Sequence, residues 1–241
     1  MGATYPGPAM RIVTGTSGWQ YKEWKGIFYP EKMKEADMLS FYASRLNAVE
    51  VNYTFRRIPE AKVFERWRGA APATFQFVLK MPQQVTHFKR LRDTGPEVER
   101  LAQSAAALGN QLGAYLVQLP PNLRLDQPRL EDFLAGLPAG IRPALEFRHE
   151  SWFTDAIFET LRTHNAALCL AETDEEPGPR VATADWGYLR LRRAEYDGAA
   201  LQAWLSWIED QSWTDAAVFF KHENEARGPR FALRFREMVE G

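Results

Sequence analysis

Residues 48–52 read Ala48-Val49-Glu50-Val51-Asn52. The run is short, β-branched and bounded by polar residues, so a strand is expected. Strand alternation puts Glu50 and Asn52 on one face and the two valines on the other. A carboxylate buried on a strand is costly unless a cation meets it. Lys80, Arg148 and Arg190 are the candidate partners for Glu50. Seven further runs, short and read as β-branched or aromatic and bounded by turn residues, are expected to be strands at residues 11–14, 74–79, 114–119, 142–147, 166–170, 187–191 and 216–220. Turn residues stop several of them: Gly15 ends the first, and Pro120-Pro121 the run at 114–119.

Helical patterns separate the strands. Leu201, Trp204, Leu205 and Ile208 form one apolar stripe at i, i+3, i+4 and i+7, and Val98, Leu101, Ala105 and Leu108 form another. Thr154 is a candidate N-cap before Ile157, Phe158 and Leu161. Gly69 is a candidate C-cap after Val63, Phe64 and Trp67. Phe231, Phe235 and Met238 mark a last helix. Residues 172–185 (ETDEEPGPRVATAD) read as a polar Pro/Gly loop between the sixth and seventh strands.

Eight strands alternating with helices predict an α/β fold, a single-domain (β/α)8 TIM-like barrel over residues 11–241. A doubly wound sheet is the alternative. It usually has five or six strands and often a glycine-rich phosphate turn, and neither G-x-G-x-x-G nor G-x-x-x-x-G-K-[ST] occurs. Residues 1–10 are expected to be a flexible leader, because they lack the basic start and apolar stretch of a signal peptide. The expected location is cytoplasmic.

Composition fits that reading. The 241 residues are 45% hydrophobic and 25% charged, an ordinary globular mix. No apolar run approaches the ~18 residues of a membrane span. Thirty basic residues against thirty-one acidic ones give a net charge of −1, so a nucleic-acid partner would need a local basic patch. The single Cys169 excludes an internal disulfide and fits a reducing compartment.

Barrel chemistry sits where strands end. Ser17 and Trp19 follow the first strand, and Glu50 and Asn52 lie on the second. Lys80 follows the third, with His87 beyond it, and Gln118 lies on the fourth. Glu146, Arg148 and His149 close the fifth, and Glu172 follows the sixth. Arg190 and Arg192 mark the seventh, and Lys221, His222 and Glu223 follow the eighth. Polar residues gather at one end of the strands. Glu50, Glu146, His149 and His87 are the candidate acids and bases, since carboxylates and near-neutral imidazoles suit proton transfer. Trp19, Asn52, Lys80, Gln118, Arg148, Arg190 and Lys221 are the candidate ligand-binding residues. Packing is the competing role for Trp19, Tyr21, Trp24, Phe28 and Tyr29, and a mutual ion-pair cluster for the charges. Glu50, Glu146, Glu172, His222 and Glu223 could converge on a divalent metal, although no metal-binding spacing is present. Arg190, Arg192 and Lys221 occupy the region where many barrels bind phosphate.

Five ordered blocks resemble the YecE-like family, catalogued as domain of unknown function seventy-two. The first is Gly15-Thr16-Ser17-Gly18-Trp19 with Tyr21, Trp24, Gly26 and Phe28-Tyr29-Pro30. The second is Val49-Glu50-Val51-Asn52 with Thr54-Phe55 and Pro59, and the third Phe75, Phe77, Lys80, Pro82 and Thr86-His87. Gln118-Leu119-Pro120-Pro121 forms the fourth, and Glu146-Phe147-Arg148-His149-Ser151-Trp152 the fifth. The resemblance implies a TIM-barrel-like fold with these motifs around one cavity, and no established reaction. It departs after the last strand. Where the family commonly has an aromatic-Asn-Asn segment, this chain reads Phe220-Lys221-His222-Glu223-Asn224.

Three functions compete. One is an acid/base enzyme, hydrolase- or lyase-like, acting on a small polar, phosphorylated or sugar-like ligand. Another is a metal-dependent nucleic-acid-processing barrel, motivated by the basic clusters and opposed by the net charge. The last is a non-catalytic ligand-binding protein.

Overall fold

The computed structural model describes residues 10–175, 177–221 and 224–241. The expected leader lies, except for Met10, outside the described residues. Eight parallel strands close into one barrel in sequence order. They are β1 (Arg11–Ser17), β2 (Ala48–Val51), β3 (Gln76–Lys80), β4 (Leu112–Gln118), β5 (Pro143–Glu146), β6 (Ala167–Glu172), β7 (Trp186–Leu191) and β8 (Asp215–Phe220). The helices are α1 (Met38–Arg45), α2 (Tyr53–Arg56), α3 (Ala61–Ala70), α4 (Gly95–Ala105), α5 (Gln127–Ala135), α6 (Asp155–Thr163), α7 (Gly198–Glu209) and α8 (Arg227–Glu240). The single-domain (β/α)8 reading is therefore correct. One irregularity stands where residues 172–185 were read as a loop: among the described residues, no helix joins β6 to β7.

Alternation along the strands divides the apolar residues into two sets. Val13, Ala48, Val78, Leu116, Cys169, Tyr188 and Phe219 fill the barrel interior. Val49, Val51, Phe77, Leu79, Leu189, Leu191 and Phe220 face the helices and join the larger outer core. Ring closure is the pairing of β1 with β8, from Arg11 beside Asp215 to Thr16 beside Phe220.

Between β1 and β2 a helix residue enters the ladder. The buried Tyr42 hydroxyl of α1 accepts from Thr16 N at 2.8 Å and donates to Ala48 O at 3.0 Å. A Cβ on Gly15 would sit 1.9 Å from Ala48 O and 3.0 Å from Tyr42 Oη, so only glycine fits there.

Local signals explain the helix starts. Thr154 accepts from Ile157 N, as expected of an N-cap, and Asp126 and Asp197 cap α5 and α7 in the same way. Gly69 was expected to end its helix. Instead α3 runs to Ala70 with Ala71 as its C-cap, and Gly69 lies within the last turn. Asn52 was expected on β2 beside Glu50. The strand ends at Val51, and Asn52 turns helical (φ −81, ψ −16) to start α2, so strand alternation no longer sets its direction.

Candidate functional site

Strand ends bring six polar side chains into one layer at the C-terminal mouth: Ser17, Glu50, Lys80, Gln118, Glu146 and Arg190. Their center is Arg190, 1% exposed. Its Nη2 donates to Glu50 Oε1 at 2.8 Å and its Nη1 to Glu146 Oε2 at 2.5 Å. Of the three cations expected for Glu50, Arg190 is the one that pairs with it.

Each carboxylate accepts two further hydrogen bonds. Ser17 Oγ donates to Glu50 Oε1 at 2.6 Å and Tyr188 Oη to Oε2 at 2.7 Å. Gln118 Nε2 donates to Glu146 Oε2 at 2.8 Å and Arg148 Nε to Oε1 at 2.6 Å, with Arg192 3.7 Å from Oε1. The ladder makes this possible, since Ser17 is in register with Glu50 and Gln118 with Glu146. Burial alone would raise the Glu146 pKa. The Arg190, Arg148 and Arg192 guanidiniums and the Gln118 amide outweigh it and hold the carboxyl at about 2. Glu146 is thus a fixed negative charge at neutral pH. Burial pushes the Tyr188 phenol up, and the Glu50 carboxylate pushes it further.

Lys80 is different. Its Nζ makes no ion pair with any described residue, although Glu50 and Glu146 are near enough to act on it. It lies 4.4 Å from the centroid of the Phe55 ring. Desolvation and the Arg190 charge lower its pKa to about 8, helped by Lys221 and opposed by Glu50 and Glu146. His87 stands edge-on to the same Phe55 ring, 5.0 Å between centroids. Its Nδ1 shares a 2.8 Å hydrogen bond with Thr86 Oγ1, which leaves Nε2 without a partner among the described residues. Burial lowers the His87 pKa, as do the charges of Lys80, Arg148 and Arg90.

Other candidates take different places. His149 caps a short 3₁₀ turn at Glu150–Trp152, its Nδ1 accepting from Ser151 N at 3.1 Å. Trp19 is 4% exposed and packs edge-on against Trp67, so the first-loop tryptophan joins the core instead of standing free at the mouth. The Asn52 side chain is half-buried and makes no hydrogen bond among the described residues. Lys221 is exposed beyond β8, its backbone N–H donating to Leu191 O. Arg190 was expected to serve phosphate, but its two nitrogens already hold carboxylates.

The suggested metal ligands that lie among the described residues form no metal-holding group. Glu172 faces the helices, accepting from Tyr196 Oη at 2.7 Å and Trp204 Nε1 at 3.0 Å. Glu50 and Glu146 are engaged by Arg190, and His222 and Glu223 lie outside the described residues. No group of three or more His, Cys, Asp or Glu among the described residues is arranged to hold a metal ion.

A cavity of about 500 Å³ opens at the mouth on the β5–β7 side. Arg148 and Arg192 line it, with Cys169, Ala171 and Thr173 from β6 and its loop. A second cavity, about 550 Å³, lies between α4 and α5, away from the strand ends, where Arg129 and Asp126 pair at 2.7 Å.

Sequence reasoning missed Phe55 and Tyr188 as parts of the site. The signal for Tyr188 was its alternation with Arg190 on β7, which aims both inward. Phe55 carried only its place in the second block of the resemblance.

No described helix is long and apolar enough to cross a membrane. Among curated proteins the chain is 24% identical to the UPF0759 protein YunF of Bacillus subtilis (strain 168) over 229 residues, which is 89% of this chain and 79% of that one. Among solved structures it is similar to a DUF72 family protein from Thermotoga maritima MSB8, with TM-score 0.83 and 26% identity over 96% of this chain and 100% of that one. A DUF72 family protein from Enterococcus faecalis V583 shares the fold, with TM-score 0.76 and 16% identity over 96% and 98% of the two chains. The sequence profile described as "Protein of unknown function DUF72" matches residues 13–241. The chain belongs to the DUF72 family.

Proposed function

We propose that the barrel mouth binds a small anionic molecule and catalyzes proton transfer on it, with Lys80 and His87 as the acid/base pair. One observation carries this reading. Arg190 takes Glu50 and Glu146, and Lys80 keeps a half-buried amine with no ion pair among the described residues. Around it stand Arg148, Arg190 and Arg192, which share Glu50 and Glu146 between them. An anion would add negative charge beside Lys80, and a partly desolvated site strengthens its attraction. Glu146, held ionized, is poorly suited to donate or accept a proton near pH 7. It acts as a positioning residue that fixes Arg190 and Arg148, and Glu50, bonded to the other Arg190 nitrogen, fixes Arg190 with it. Lys80, with a pKa near 8, titrates close to neutrality, where acid/base groups work best. Arg148 and Arg192 are assigned to the anionic group, with Asn52, Gln118 and Lys221 as further polar contacts.

The test pairs binding with exchange. Calorimetry with inorganic phosphate, small carboxylates and sugar phosphates should give saturable binding that Arg192→Ala weakens about tenfold, the loss of one charge-assisted contact. A bound ligand with an acidic C–H should gain deuterium in D2O, and Lys80→Met should abolish that gain. Anion binding unchanged in Arg192→Ala would refute the site. Binding without exchange would leave the non-catalytic alternative.

A further inference from the structure

The Lys80 amine has a second kind of chemistry open to it. Its surroundings meet the needs of a nucleophilic amine. The Nζ is half-buried, lies over an aromatic face, and makes no ion pair with a carboxylate among the described residues. A cationic guanidinium, Arg190, shares the layer, and lysines desolvated beside another cation are the ones that attack carbonyls. His87 lies within electrostatic reach of both Lys80 and Arg148. The lysine also sits at the C-terminal end of a barrel strand, which fixes its stem against a rigid frame.

Resting on the anion-binding reading above, we infer that Lys80 forms a Schiff base with a small carbonyl compound that carries an anionic group, a 2-oxo acid or a phosphorylated aldehyde or ketone. The step balances without any oxidant. The neutral amine attacks the carbonyl carbon, and the C=O π pair moves to oxygen, which takes a proton. The nitrogen gives up a proton, and a carbinolamine results. His87, neutral near pH 7, takes the proton that the nitrogen gives up and returns it to the hydroxyl, so water leaves as the nitrogen lone pair forms C=N. Amine and carbonyl thus become a protonated imine and water. The imine draws electrons from the adjacent C–H or C–C bond, so the deuterium exchange proposed above gains a chemical route.

Charged groups on β2, β5 and β7 and just past β8 tune the amine: Arg190 and Lys221 lower its affinity for a proton, and Glu50 and Glu146 raise it. With its pKa near 8, roughly a tenth of Lys80 is neutral at pH 7, about a hundredfold or more above an ordinary lysine.

Reductive trapping tests this directly on the wild-type protein. Pyruvate, glyoxylate and dihydroxyacetone phosphate are each incubated with sodium cyanoborohydride at pH 7, and modified lysines are mapped by peptide mass spectrometry. The expected result is one secondary-amine adduct on Lys80, at least about tenfold above any other lysine. Excess phosphate should suppress it, and Lys80→Arg should lack it. Adducts spread evenly over surface lysines would overturn the inference. So would phosphate binding at the mouth with no trapping on Lys80, and that outcome leaves the anion-binding reading standing. A Lys80 adduct equally strong with neutral acetone, unaffected by phosphate, would instead overturn the anionic substrate class. A mouth that binds no anion and traps no carbonyl defeats both readings together.

Discussion

Arg190 and Glu50 are 140 positions apart in sequence and 2.8 Å apart in the barrel. With Glu146 on its other nitrogen, Arg190 ties β2, β5 and β7 together inside the mouth. Replacing it by methionine keeps the volume roughly but strands two buried carboxylates. Breaking a buried pair this way costs about 3–5 kcal/mol. Chemical denaturation of Arg190→Met at pH 7 should show that loss, and Arg190→Lys should recover only part of it, since one ammonium lacks the fork that spans both carboxylates. A loss under about 1 kcal/mol would mean the charges relax into water and the network is weak.

Glu146 makes the fold sensitive to acid. Its pKa is held at about 2, below the ordinary carboxyl value, so its stabilization is complete above the unfolded pKa and is lost as pH falls through the window down to about 2. The shift corresponds to about 3 kcal/mol at most. Urea midpoints measured from pH 6 to pH 2 should therefore fall more steeply in the wild type than in Glu146→Gln, which cannot titrate at that position. Parallel slopes would show that other carboxylates carry the acid response.

Lys80 works against stability. Its folded pKa of about 8 lies below the ordinary lysine value, so the native state holds this proton less tightly than the unfolded chain does. The resulting penalty is present below about pH 8 and disappears as pH rises toward the unfolded value near 10.5. Lys80→Met should stabilize the protein at pH 7 by about 1–3 kcal/mol, while removing the exchange and trapping activities. The gain should shrink between pH 8 and 10. Destabilization at pH 7 would show that the lysine stem packs better than this account allows.

Three glycines separate packing from backbone propensity. Gly15→Ala would drive a Cβ to 1.9 Å from a backbone oxygen, and Gly187→Ala to 2.2 Å from the Trp213 ring. Each should cost about 1–3 kcal/mol or more. At Gly69, within α3, nothing lies within 4 Å of the added methyl. Gly69→Ala should gain about 0.5–1 kcal/mol, the propensity difference alone. Thermal melts of the three variants would check the order.

The strands were legible because each buried run is short and apolar, rich in β-branched or aromatic residues in most cases, and set off by turn or polar residues. The polar layer was legible because charges at the ends of otherwise apolar strands have few places to go. The partner of Glu50 was not: Lys80, Arg148 and Arg190 all seemed suitable, and the choice depends on how strands stagger around the ring. His149 shows a second limit. Its capping of the Glu150–Trp152 turn depends on local backbone angles, which residue type does not reveal. Trp19 shows a third, since an aromatic residue in a loop can fold inward onto a helix residue, here Trp67. Helix α1 gave no clean stripe, yet its Tyr42 hydroxyl completes the β1–β2 ladder.

Ring closure between β1 and β8 has a consequence for synthesis. The first strand made must wait for the last, because the partners of Arg11–Thr16 are Asp215–Phe220. At ordinary translation rates, the intervening ~200 residues take on the order of 10–40 s to emerge from the ribosome. Through that interval β1 can pair along its β2 side, while its other edge stays open to any extended chain nearby. The nascent protein therefore passes through an open, half-curled sheet whose protection, by chaperones or by speed, is as much a requirement of this fold as its finished core.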